Sequence, residues 1–205
     1  MLEDCLHDAK PATQLDANEI SLGFCLSALR CGDRGDFDHH LNEARVQLLA
    51  PLAAASLESY TRAYPMLVRL HMLQELHEAS ALFPFDGTGD PGNREPHSAP
   101  TVQHGGAKKL DSLIQVWRSR LELIQSSSIT TWGPVLALRQ CILEMHGSAT
   151  QGALGEGHIK ASRLACSAGL LQNASMSLLK AEAASADGVR IESCLLYTSP
   201  SPRDA

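Results

Sequence analysis

Leu57, Tyr60, Tyr64, Leu67, Leu70, Leu73 and Leu76 recur at steps of three or four residues. That spacing gathers large apolar side chains on one face of an α-helix and scatters them over both faces of a strand. The same rule runs through most of the chain. Over 18–31, Leu22, Cys25, Leu26 and Leu29 fit a helical face, although Ile20, Leu22, Phe24 and Leu26 also alternate as a strand would. Helix is the favoured reading there, with Asn18 as its expected N-cap. Gly32 and the string GDRGD then mark a turn. A second helix is predicted over 36–50, capped by Asp36, with Phe37, Leu41, Ala44 and Leu48 as its stripe.

The long helix is predicted from Ser56, as cap, to Leu82. Pro65 should kink or break it, because its missing N–H leaves the Thr61 carbonyl without its usual donor. Helical patterning resumes over 110–124 through Leu110, Ile114, Trp117, Leu121 and Ile124. After the spacer SSSITTWG it continues over 134–144, with Pro134 in the first turn and Val135, Leu138 and Ile142 on the stripe. A final pair is predicted over 159–168 and 174–184, joined by GLLQN. Ala165, Ala168, Gly169 and Ala174 fall where two antiparallel helices could approach closely, a spacing known from tetratricopeptide hairpins.

Each such hairpin hides one face only and needs neighbours. The expected fold is therefore all-α, with antiparallel helix hairpins stacked as a tetratricopeptide-like α-solenoid segment. Aromatic residues make up only 4% of the chain, which suits helices packed through aliphatic and small side chains better than a sheet sandwich.

Residues 83–108 differ in kind. Four prolines and five glycines mark a flexible surface insertion. Its glycines make no phosphate loop, since no G-x-x-x-x-G-K-[ST] is present and no apolar strand leads into them. The expected organisation is a poorly defined segment over 1–17, helical repeats over 18–82, the insertion over 83–108, helical repeats over 109–193 and a tail over 194–205.

Charge and composition narrow the function classes. A net charge of −6 argues against nucleic acid as a partner. No apolar run approaches the ~20 residues of a membrane helix, and no secretory signal is visible in MLEDCLHDAKPATQ. The six cysteines show neither a C-x-x-C pair nor zinc spacing, and are read as reduced thiols, mostly buried as small apolar residues.

One constellation invites a sharper reading. His71, Glu75 and Glu78 fall at i, i+4 and i+7, on one helical face. A histidine with two carboxylates could hold a metal or move a proton. His77 does not join that face, and no E-x-x-H or H-E-x-x-H pattern is present. The expected role is structural or partner-facing polar packing. His39 and His40 are adjacent, so their side chains leave a helix about 100° apart, cannot easily share one ligand and are read as surface residues. Cys141 and Cys166 sit in apolar patterns, and His146 points away from Cys141. Trp117 is expected in the core, Trp132 could be core or interface, and Arg62 and Arg69 are read as a solvated pair. No catalytic, cofactor-binding or metal-binding residue is assigned, and no cofactor is expected for this segment.

Three blocks carry a resemblance. They are ARVQLLAPLAAASLESYTRAYPMLVRLHMLQELHEA (44–79), RLELIQSSSITTWGPVLALRQCILEM (120–145) and IKASRLACSAGLLQNASMSLLKAEA (159–183). In order and spacing they resemble the FAT region of the phosphatidylinositol 3-kinase-related protein kinases, of the ATR type. The resemblance implies an array of helical repeats that clamps a kinase domain lying further toward the C-terminus. It implies a nuclear parent that phosphorylates protein Ser/Thr in DNA-damage and replication-stress signalling, with ATP and Mg held only by that kinase domain. The implied partners are the kinase domain, neighbouring repeats and checkpoint regulatory proteins, with no membrane. No H-R-D-type or D-F-G string occurs here, so the segment itself is expected to be no enzyme. An independent α-solenoid adaptor is the alternative, and a small helical metalloenzyme the outsider. The tail CLLYTSPSPRDA (194–205) is similar to translated sequencing-adapter DNA, which implies a natural chain continuing past Ser193.

Overall fold

A computed structural model of the chain describes residues 14–83, 85, 106–123 and 128–184. The segment up to residue 13, nearly all of the 83–108 insertion and the 194–205 tail lie outside the described residues. Seven α-helices and no strand are found among the described residues, so the fold is all-α. They are α1 (Gln14–Cys31), α2 (Arg34–Glu58), α3 (Tyr60–Ser80), α4 (Gly106–Leu123), α5 (Ile129–His146), α6 (Gln151–Ser167) and α7 (Leu171–Ala183). The chain divides into two compact units, 1–113 and 114–205. The division falls within α4.

In the first unit α2 packs against both α1 and α3. Gly32 ends α1 in the left-handed region, at φ 72°, where a side chain would be strained. The N–H of Asp33 then reaches back 3.0 Å to the Ala28 carbonyl and closes the turn. Asp33, not Asp36, caps α2: its carboxylate accepts from the Asp36 N–H at 3.0 Å. Asn18, the expected cap of α1, lies inside that helix and is buried. The stripe Phe37, Leu41, Ala44 and Leu48 is sealed as expected, none of it more than 1% exposed. Full burial of each large member contributes about 2 kcal/mol.

Ser56 does not start a helix. α2 runs on through Pro51 to Glu58, and the break comes at Ser59, in extended conformation at φ −164° and ψ 129°. Pro65 therefore sits in the second turn of α3, not in the middle of a long helix, and the predicted break lies one and a half turns ahead of it.

The second unit repeats this device. α5 begins at Ile129 rather than at Pro134, behind Ser128 in extended conformation, and again carries its proline in the second turn. The N–H groups of Thr131 and Trp132 donate to the Ser128 carbonyl, as those of Arg62 and Ala63 do to that of Ser59. Gly147, at φ 77°, ends α5. A 3₁₀ turn (Gly147–Thr150) follows, and buried Thr150 donates its hydroxyl to the Leu143 carbonyl at 2.8 Å. α6 packs against α5 and α7.

The turn of the α6/α7 hairpin is Ala168, Gly169 and Leu170, shorter than the predicted GLLQN. Gly169 adopts φ 74° while the Leu170 N–H bonds the Ala165 carbonyl at 2.8 Å. Of the four small residues expected between these helices, Ala165 and Ala174 are there, packed with Leu178. Ala168 and Gly169 are exposed in the turn.

Candidate functional site

The polar stripe of α3 is real and is split by burial. His71 Nε2 stands 2.9 Å from Oε1 of Glu75, whose side chain is 0% exposed. Glu78 instead accepts from the side-chain amide of Gln74 at 3.1 Å. The helix thus presents no convergent set of three ligands here. The carboxyl group of Glu75 is fully buried, while His71 beside it is partly exposed. Arg69, on the same helix, reaches Glu19 of α1 at 3.3 Å.

The second unit holds a cluster that sequence reasoning missed. Arg139, on α5, is 5% exposed. Its Nη1 donates to the Trp117 carbonyl at 3.1 Å, and its guanidinium carbon stands 5.3 Å from the centre of the Trp117 ring. Arg118, the next residue on α4, forks onto Glu156 of α6 with contacts of 3.0, 2.8 and 2.7 Å. Trp117, Arg118, Arg139 and Glu156 line a cavity of about 40 Å³ with Leu136 and Leu143. That holds a few waters and no substrate. Two cations pinned to a tryptophan and a carboxylate lock α4, α5 and α6 together.

An apolar opening lies on the first unit. Leu49, Leu52 and Ala53 of α2 face Tyr60, Ala63 and Leu67 of α3 across a groove of about 400 Å³. Leu49 is 57% exposed and Tyr60 71%. On the second unit Leu171, Met176 and Leu179 of α7 are likewise exposed. Both units thus leave large apolar side chains exposed to solvent.

Geometry of this kind belongs to scaffolds, and the comparisons agree. The FAT domain family matches residues 4–200. The chain belongs to the FAT domain family. It is 35% identical over 149 residues to the serine/threonine-protein kinase ATR of Arabidopsis thaliana, a match covering 73% of this chain and 5% of that protein. It is 30% identical over 177 residues to the serine/threonine-protein kinase ATR of Oryza sativa subsp. indica, covering 85% of this chain and 6% of that protein. The serine-protein kinase ATM of Sus scrofa is 30% identical over 125 residues, or 61% of this chain and 4% of that protein. The chain therefore spans about one-twentieth of the length of the curated relatives it matches. No solved structure matches it.

Within this FAT segment the thiols divide. Cys25 is sealed, and burial pushes its thiol up to about 12. Cys31 and Cys141 are exposed and Cys166 is half-buried, so burial of the cysteines holds for Cys25 alone among the described residues. Trp117 and Trp132 are both core, 3% and 5% exposed. Arg139 escaped the sequence reading because a cation at a stripe position reads as solvated; its place between Leu138 and Ile142 was the available signal. No helix among the described residues is long and apolar enough to cross a membrane.

Proposed function

We propose that the chain is a non-catalytic helical scaffold segment, the FAT region, of an ATR-like serine/threonine protein kinase acting in DNA-damage and replication checkpoint signalling. The observation that carries this reading is the family match over 4–200 together with 35% identity to a plant ATR kinase. The segment supports and regulates a kinase domain located elsewhere in the parent protein, in the nucleus. ATP and Mg bind that domain. The exposed faces around Leu49 and Tyr60 and along α7 receive neighbouring helical repeats, and checkpoint regulatory proteins act on the assembled array. The mechanism is mechanical: stiff hairpins, tied by contacts such as that of buried Arg139 on the Trp117 carbonyl, move as bodies and bias the distant cleft.

A long-read sequence of the transcript across Ser193 tests this. A frame that continues through further helical repeats into a kinase domain is the expected result. A natural stop soon after Ser193 overturns it and leaves an independent α-solenoid adaptor.

A further inference from the structure

Adjacent histidines on a helix diverge by about 100° at their Cβ atoms, yet the rings of His39 and His40 come to 5.3 Å between centroids. Glu43 lies one turn further along α2, at i+4 from one and i+3 from the other. One ligand atom from each of His39, His40 and Glu43 falls within 4.8 Å of the other two. The geometry points to a surface site for a divalent transition ion, held by two imidazole nitrogens and one carboxylate oxygen. It is independent of the kinase-scaffold reading.

The contact between His40 and Glu43 carries the argument. His40 Nδ1 stands 3.6 Å from Glu43 Oε2. That is too long for a hydrogen bond, and this shielded nitrogen has no other partner. Two ligands of one tetrahedral ion, each bonded at about 2.0–2.1 Å, stand about 3.4 Å apart. The His71–Glu75 pair of α3 differs in its count: at 2.9 Å it brings together one imidazole and one carboxylate, with no third ligand beside them among the described residues.

Both members of the 3.6 Å pair are held from behind. The His40 ring stacks on Phe24 of α1 at 4.9 Å, with 19° between the planes, which fixes its orientation. The side-chain amide of Gln47 donates to the other carboxylate oxygen of Glu43 at 3.3 Å. Such outer contacts orient metal ligands. His39 is exposed and free to swing about its χ angles, which closes the remaining gap. Two imidazoles and a carboxylate suit zinc, copper or nickel, while magnesium and calcium want oxygen alone. Water completes the coordination on the open side.

The test is zinc titration of the reduced 205-residue chain by calorimetry, repeated on His39→Ala and Glu43→Gln. Both positions are exposed, so the variants keep the fold, checked by circular dichroism. One saturable site, weakened about tenfold or more in each variant, is the expected result. In a long-range ¹H–¹⁵N spectrum zinc should shift Nδ1 of His40 and leave the proton on Nε2. Absence of saturable uptake overturns the site. So does unchanged affinity in either variant, which would place the zinc on the exposed thiols, or a His40 Nδ1 signal that does not move.

Discussion

His71 and Glu75 meet at 2.9 Å on α3, one side chain 31% exposed and the other not at all. The pair ties a surface group to a fully buried carboxylate. Glu75→Ala removes a fully buried carboxyl group from its contact with His71 and leaves a cavity in its place. It should cost about 3 kcal/mol. Glu78→Ala, one turn on and bonded to exposed Gln74, should cost less than about 1 kcal/mol. Urea unfolding followed by far-ultraviolet circular dichroism measures both. Tryptophan fluorescence would miss the difference, because both tryptophans lie in the second unit. Equal costs for the two variants would mean that the buried carboxylate does not help to seat α3.

The two arginines beside Trp117 should behave very differently. Arg118 and Glu156 make the better hydrogen bonds, but their side chains are 35% and 49% exposed. A pair that wet contributes about 1 kcal/mol or less, even when forked. Arg139 is buried over an indole ring and holds a backbone carbonyl. Arg139→Ala should therefore cost about 2–3 kcal/mol, against under about 1 kcal/mol for Arg118→Ala. It should also shift tryptophan emission to the red as water reaches Trp117. A larger loss for Arg118→Ala would show the exposed fork to be the true lock.

The stripes of α2 and α5 were legible in the sequence because they follow from periodicity alone, whereas that of α3 is buried only at Leu73 and Leu76, with Tyr60 and Leu67 exposed. Phe37, Leu41, Ala44 and Leu48 could be read off with no knowledge of their neighbours, and so could Val135, Leu138 and Ile142. Helix starts were harder. Asp33 and Asp36 both offer a carboxylate near the beginning of α2, and only the φ/ψ of the real cap separates them. Asn18 and Ser56 look like caps locally, yet packing carries their helices past them. Buried polar groups were the least legible, since polarity alone predicts exposure. The His71–Glu75 spacing announced a contact but not its depth, and Arg139 finds its partner 22 residues away. The proximity of His39 and His40 was missed for a related reason. Backbone geometry sets where Cβ atoms point, whereas ring stacking on Phe24 sets where the imidazole ends.

Gly169 isolates a backbone effect. It turns α6 into α7 at φ 74°, and a Cβ placed there would touch nothing within 4 Å. Gly169→Ala should lose about 1 kcal/mol purely from the left-handed conformation. Gly169→Asn, which tolerates that region better, should recover part of the loss. Thermal melts of the two variants against the parent chain measure this. An alanine variant as stable as the parent would mean that the hairpin reaches its close packing through a different turn.

Stability should fall on mild acidification, through His158. This residue of α6 is 3% exposed. Burial holds its imidazole below the ordinary value of 6.5, and Lys180 pushes the same way against a weaker pull from Glu144. His146 is lowered by burial as well. Above pH 7 both rings are neutral whether the chain is folded or not, so neither contributes a pH dependence. As pH falls through the unfolded value, the unfolded chain takes up protons that the folded chain refuses, and the balance moves toward unfolding. The loss continues until the depressed folded values are reached. Melting temperatures should therefore drop as pH falls from about 7 through the ordinary imidazole value of 6.5. His158→Gln should flatten that slope, and adding His146→Gln should flatten it further. A parent chain equally stable at both ends of this window would show that the second unit admits a charged imidazole, and the tight seating of α6 between α5 and α7 would have to be abandoned.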